Sequence, residues 1–154
     1  MAPKSETRRK FRHLSTFERA IVLEALLGLI VTRVGLRLFG FRRWKNGLSR
    51  LARPRPAPEI SFSKAREIAR MVTATARHLF IATNCLDQSL VLWWLLRRRG
   101  IAAELRFGAR KEAGPFDAHS WVELDGRVLS DTGEVDLQFV PFEGPFALRK
   151  TRIP

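Results

Sequence analysis

Only one cysteine, Cys85, occurs among the 154 residues. No intramolecular disulfide can form, nothing requires an oxidising compartment, and a reducing cytoplasm is the expectation. Histidine is almost as scarce. Three are present, in no ligand-like spacing with the cysteine, so neither a metal nor a cofactor is expected. Long apolar runs are missing as well. The longest lies between Arg19 and Arg33 and has 13 positions, against the ~20 a spanning helix needs. No small-residue cleavage site follows it, so it does not read as a removable signal. There is no internal repeat. Acidic residues are few in the first third: residues 1–56 hold 14 basic against 3 acidic side chains, whereas residues 57–154 hold 14 against 12. The net charge of +13 therefore describes that first segment rather than the whole chain. The segment has few interleaved aromatics and no known nucleic-acid module, so no nucleic-acid partner is expected.

What is present begins with a capping box, in which Ser15 is the N-cap and Glu18 reaches back to it. An apolar helix follows through Leu36 and Phe39, with Arg33, Arg37, Arg42 and Arg43 near its end, where cations suit the helix dipole. Its wide apolar face must pack on the body of the protein or on a partner. Arg37, Arg42 and Arg43 are the candidate docking residues, and contact with a membrane surface is the less favoured use of the same charge. Prolines 54, 56 and 58 forbid a regular helix. We therefore expect residues 1–58 to form a basic helical arm and linker, and residues 59–154 the body.

Within the body, Ala65, Ile68, Val72, Ala76 and Leu79 recur at helical spacing and predict a helix over 63–79. A second helix starts at the cysteine. Asn84 is its N-cap, Asp87 its acidic third position, Arg97–Arg99 its last turn and Gly100 its stop. Cys85 is then the first helical residue. Backbone N–H groups and the positive dipole end favour its thiolate, while Asp87 opposes it. After Gly100 the apolar period changes from 3.6 to 2. Strands are predicted over 103–107, over "HSWVEL" and over "RVLSD", with a further short one near 137–142. Helices followed by a small antiparallel sheet make an α+β fold.

Two turns suit "ELDGRV". A two-residue Asp125-Gly126 turn pairs Leu124 with Arg127 and puts His119 and Asp131 on opposite faces of the sheet. A three-residue loop with a glycine bulge pairs Glu123 with Arg127 and His119 with Asp131. The second also sets opposite charges across from each other and is the expected register. It would place an imidazole and a carboxylate side by side, and with the helix-borne thiol these compose a Cys-His-Asp set for nucleophilic acyl chemistry.

The segments "CLDQSLVLWWLLRRRGIAAELRFGAR" and "FDAHSWVELDGRVLSD" resemble the leader peptidases of lasso-peptide biosynthesis, the transglutaminase-like cysteine proteases called B2 proteins. The resemblance covers about residues 80–133. It implies a transglutaminase/papain-like core, with a catalytic helix packed on a small antiparallel sheet. It implies Cys85 as nucleophile, His119 as general base and acid, and Asp131 as its orienter. Ser120, where alanine is expected, and the pair Trp93-Trp94 depart from the pattern. The implied activity is removal of a leader from a ribosomally made precursor, so that a macrolactam cyclase can act. Some members carry a leader-recognition domain ahead of the peptidase. This chain opens on a basic helix instead, so the implied partner is a separate leader-recognition protein of the B1 type. The backbone N–H of Cys85 is the expected oxyanion donor, with Asn84 a further candidate. Trp121 either walls the substrate cleft or packs in the core. Acyl transfer to an amine and a non-catalytic scaffold are the alternative functions.

Overall fold

A computed structural model of the chain describes residues 15–52, 62–110, 117–129 and 138–142. Helix α1, Thr16–Leu51, opens with the expected capping box: Ser15 Oγ accepts from the Glu18 N–H at 3.2 Å, and the Glu18 carboxylate accepts from the Ser15 N–H at 2.6 Å. Ile21, Ala25, Leu29 and Thr32 recur at one-turn spacing and are buried. Gly28 lets this face approach the helix that carries Val91 closely, since a Cβ there would meet Val91 at 3.1 Å. At Gly40 (φ 71°) the helical path is broken, a conformation that glycine adopts without penalty. Beyond the break Trp44 folds back onto Gly35, where no side chain would fit beneath the indole.

Helix α2, Phe62–His78, buries Ala65, Ile68, Val72 and Ala76, the face its periodicity predicted. Helix α3, Cys85–Arg98, is buried on most sides. Its core residues Leu90, Val91, Leu95 and Leu96 join those of α1 and α2 in one hydrophobic cluster. The first helix thus shares the core of the elements that follow it, and the expected boundary at residue 58 lies outside the described residues. None of the helices described is long and apolar enough to cross a membrane.

Strands β1 (Glu104–Arg110), β2 (Ala118–Leu124), β3 (Arg127–Val128) and β4 (Phe139–Pro141) form an antiparallel sheet in the order β3-β2-β1-β4. This is the expected α+β arrangement, a helix packed on a small sheet. Val122 and Leu124 face the helical core, while Trp121 joins Phe139 and Val128 in a second cluster.

The hairpin register differs from the expected one. Leu124 pairs with Arg127 and Glu123 with Val128, so the turn has two residues, Asp125 (φ 51°) and Gly126 (φ 70°). Both are left-handed, the mirror-image turn whose twist matches the flanking strands. Aspartate tolerates that region better than most side chains. The charge pair that favoured the other register is absent because both partners are engaged elsewhere. Glu123 accepts from Arg106 Nε at 3.1 Å and from Trp121 Nε1 at 2.7 Å. The Arg127 guanidinium lies 3.8 Å above the Phe62 ring on α2. The register from which the pairing of His119 with Asp131 was expected is therefore not the one observed. Asp131 itself lies outside the described residues.

Candidate active site

Cys85 stands where a reactive thiol is best supported, at the first position of α3. The helix start is fixed by a second capping box. Asn84 Oδ1 accepts from the Asp87 N–H at 2.9 Å, and Asp87 Oδ2 accepts from the Asn84 N–H at 3.0 Å. These bonds use the backbone N–H and side-chain oxygen of Asn84, leaving only its amide NH2 for an oxyanion. The N–H of Cys85 belongs to the first turn, where helical N–H groups have no intrahelical acceptor.

Asp87 is fully buried, and a bare carboxylate there would oppose the thiolate. Arg33, from the middle of α1, answers it with Nη1 at 3.2 Å from Oδ2. The ion pair joins two helices and offsets the charge beside the Cys85 thiol. Its participants lie 54 residues apart, and sequence spacing carried no signal of it.

His119, near the start of β2, stacks on Phe139 with ring centroids 4.9 Å apart and stands 6.4 Å from the Trp121 ring. These aromatic contacts fix the plane of the imidazole. The half-buried Cys85 thiol is lowered from an ordinary 9.0 to about 7, first of all by its hydrogen bond with His119. Burial pushes the other way. The Ser120 N–H, the Ser120 hydroxyl and the charge of His119 add to the lowering. Near neutral pH about half of such a thiol is thiolate, the form that attacks.

In the sequence Ser120 stands out only as a departure from an expected alanine. It is 4% exposed, and its Oγ has no partner of ordinary hydrogen-bond geometry among the described residues, although it lies near enough to the sulfur to favour the thiolate. Its carbonyl accepts from Ser89 Oγ at 2.8 Å, which fastens β2 to α3 one turn beyond the cysteine. Ser89 lies four residues after Cys85, so helical spacing alone could have singled it out.

Cys85, His119 and Ser120 line one cleft of about 230 Å³, together with Thr73 and Arg77 of α2 and Gln88 of α3. Trp121 does not line it. That residue is 1% exposed and packs on Gly108, so of the two roles left open for it the core role is the one observed. Arg37, Arg42 and Arg43 are exposed on α1, outside the cleft. Among the described residues no group of three His, Cys, Asp or Glu side chains could hold a metal ion. A thiolate, an adjacent imidazole and a helix N-terminus are the parts needed to attack a carbonyl and hold the resulting oxyanion.

Residues 28–143 match the Transglutaminase-like superfamily, and the chain belongs to that family. The chain is 43% identical over 49 residues to the Microcin J25-processing protein McjB of Escherichia coli. That match covers 32% of this chain and 23% of the relative, so the chain spans under a quarter of the curated protein it matches. The likeness supports the resemblance to B2 proteins of lasso-peptide systems. No solved structure matches.

Proposed function

We propose that the protein is a cysteine peptidase that removes the leader from a ribosomally made lasso-peptide precursor. The carrying observation is the Cys85 thiol, held at the N-terminus of α3 and lowered to about 7 chiefly by His119. The thiolate attacks the carbonyl joining leader to core. The oxyanion is held by the Cys85 N–H. The imidazolium of His119 protonates the leaving amine, which departs to leave a thioester. His119 then takes a proton from water, and the hydroxide formed cleaves the thioester and regenerates the thiolate. Asp131 is assigned as the orienter of His119 on the sequence resemblance.

The same pair of side chains would pass the acyl group to an amine if water were excluded. Mass spectrometry of the products separates the two outcomes. The decisive experiment mixes the full chain, a candidate precursor and a separate leader-recognition protein. Cys85→Ala and His119→Ala should each abolish cleavage and remain folded, and Asp131→Asn should lose most activity. Undiminished cleavage by Cys85→Ala would refute the mechanism.

The recognition protein is proposed to dock on α1, and the macrolactam cyclase to act on the released core in the same reducing cytoplasm. The motivation for the docking surface is a row of outward apolar side chains, Leu23, Leu27, Val31, Val34 and Leu38, that ends beside the exposed Arg37, Arg42 and Arg43. Replacing the three arginines with alanine should weaken partner-stimulated cleavage and its salt dependence together, with Cys85 labelling unchanged. Full stimulation of the triple variant at every salt concentration would end the docking proposal.

A further inference from the structure

A second and larger cleft, of about 490 Å³, lies where the kinked end of α1 meets the C-terminal end of α3 and strand β1. The break at Gly40 creates it. Past that residue Phe41 packs edge-on against Phe107 of β1, with ring centroids 5.3 Å apart, and Lys45 reaches Trp93 of α3. The volume falls within the range of sites that take small organic ligands or peptide side chains, and is far larger than an inorganic ion needs.

Its charge is unbalanced. Lys45 Nζ lies 5.9 Å and Arg97 Cζ 5.2 Å from the centroid of the Trp93 ring, and neither pairs with a carboxylate among the described residues. Other arginines of the fold do pair. Arg33 has Asp87, Arg99 has Glu24, and Arg110 has Asp117. One carboxylate, Glu104, lines the cleft, but Arg106 takes it at 2.8 Å. Arg97 Nε is buried with no hydrogen-bond partner among the described residues. Attraction to the indole accounts for the position of the guanidinium but supplies no acceptor in the plane of that N–H. A buried donor left without an acceptor is costly, and a carboxylate matches the guanidinium fork. Trp93 is 5% exposed and already covered by the two cations, so it offers no stacking face to a nucleobase.

We infer that this cleft is a binding site for an acidic segment of a peptide, in which an Asp or Glu carboxylate sits between Lys45 and Arg97 and an adjoining apolar side chain lies against Phe41, Phe107 and Phe142. Naming that peptide as the substrate rests on the proposed peptidase reading; the binding itself does not.

The test uses the full chain carrying Cys85→Ala, so that no cleavage is needed. Fluorescein-labelled Glu-Phe-Glu and Gln-Phe-Gln peptides are titrated by anisotropy at physiological salt. The acidic peptide should bind on the order of 10-fold or more tightly than its amide counterpart, as loss of a charge-assisted hydrogen bond implies. Lys45→Gln and Arg97→Gln should each remove most of that difference. Paired Arg66→Gln and Arg70→Gln, which discharge an exposed face of α2, should not. Equal binding of the two peptides overturns the inference. So does an equal loss in the Arg66/Arg70 control, which would indicate bulk charge, and so does inorganic phosphate binding as tightly as the acidic peptide. Should Arg97→Gln fail to fold, Lys45→Gln decides alone, because Lys45 stands outside the core. With active protein and an acidic precursor, Lys45→Gln should raise KM and leave kcat unchanged. Binding without any cleavage would sink the peptidase reading and spare the cleft; cleavage without binding would do the reverse.

Discussion

Removing the imidazole tests the site most directly. In His119→Ala the largest cause of the lowered thiol pKa is gone, burial still raises it, and only Ser120 still lowers it. The thiol should move from about 7 toward its ordinary 9.0. At pH 7 the thiolate fraction would fall from about one half to about 1% in the limit of a full return, roughly 50-fold. A more basic thiolate is also a better nucleophile. With a Brønsted slope of ~0.45, a thiol pKa raised from about 7 to 9.0 makes each thiolate about 8-fold faster. Iodoacetamide should therefore label the variant about 6-fold more slowly at pH 7, yet faster than the parent above pH 9, where both thiols are ionised. The crossing of the two pH profiles is the signature. Equal midpoints near pH 7 would refute the role given to His119. Stability carries the same sign. Because the folded thiol is lowered, its contribution is complete above 9.0 and is lost as the pH falls through about 7. The parent should thus gain stability over His119→Ala as the pH rises between those values, by an amount that solvent screening of a half-exposed sulfur reduces.

Arg33→Met leaves the Asp87 carboxylate buried without a countercharge, held only by the Asn84 N–H, and should cost on the order of 3 kcal/mol in urea unfolding. A loss below about 0.5 kcal/mol would make the pair incidental. It should also slow Cys85 labelling at pH 7, since an uncompensated carboxylate opposes the thiolate. Gly108→Ala puts a methyl group 2.5 Å from the Val140 carbonyl and 2.8 Å from the Trp121 ring, directly across from His119. It should destabilise the protein and alter thiol reactivity together, read by labelling and by near-ultraviolet circular dichroism. Gly126→Val forces a β-branched residue to φ 70° and should cost about 1–2 kcal/mol in the same urea assay, whereas Asp125→Gly should be tolerated.

Local chemistry determined the elements. The capping box at Ser15, the N-cap Asn84, the apolar face of α2, the stop at Gly100 and the place of β4 were legible because capping and periodicity depend on neighbours within a few residues. The position of Cys85 at a helix start was legible for the same reason. Which segments meet was decided only in the folded chain. Two turns of comparable local merit fit the β2–β3 connection, and the choice between them follows what Glu123 and Arg127 find elsewhere, namely Arg106, Trp121 and Phe62. The meeting of Cys85 with His119 and Ser120, the Arg33–Asp87 pair and the cleft behind the Gly40 kink arise from helix faces packing on a sheet. Charge spacing along a chain carries no record of such contacts, because burial and partner, rather than neighbours in sequence, set their energies.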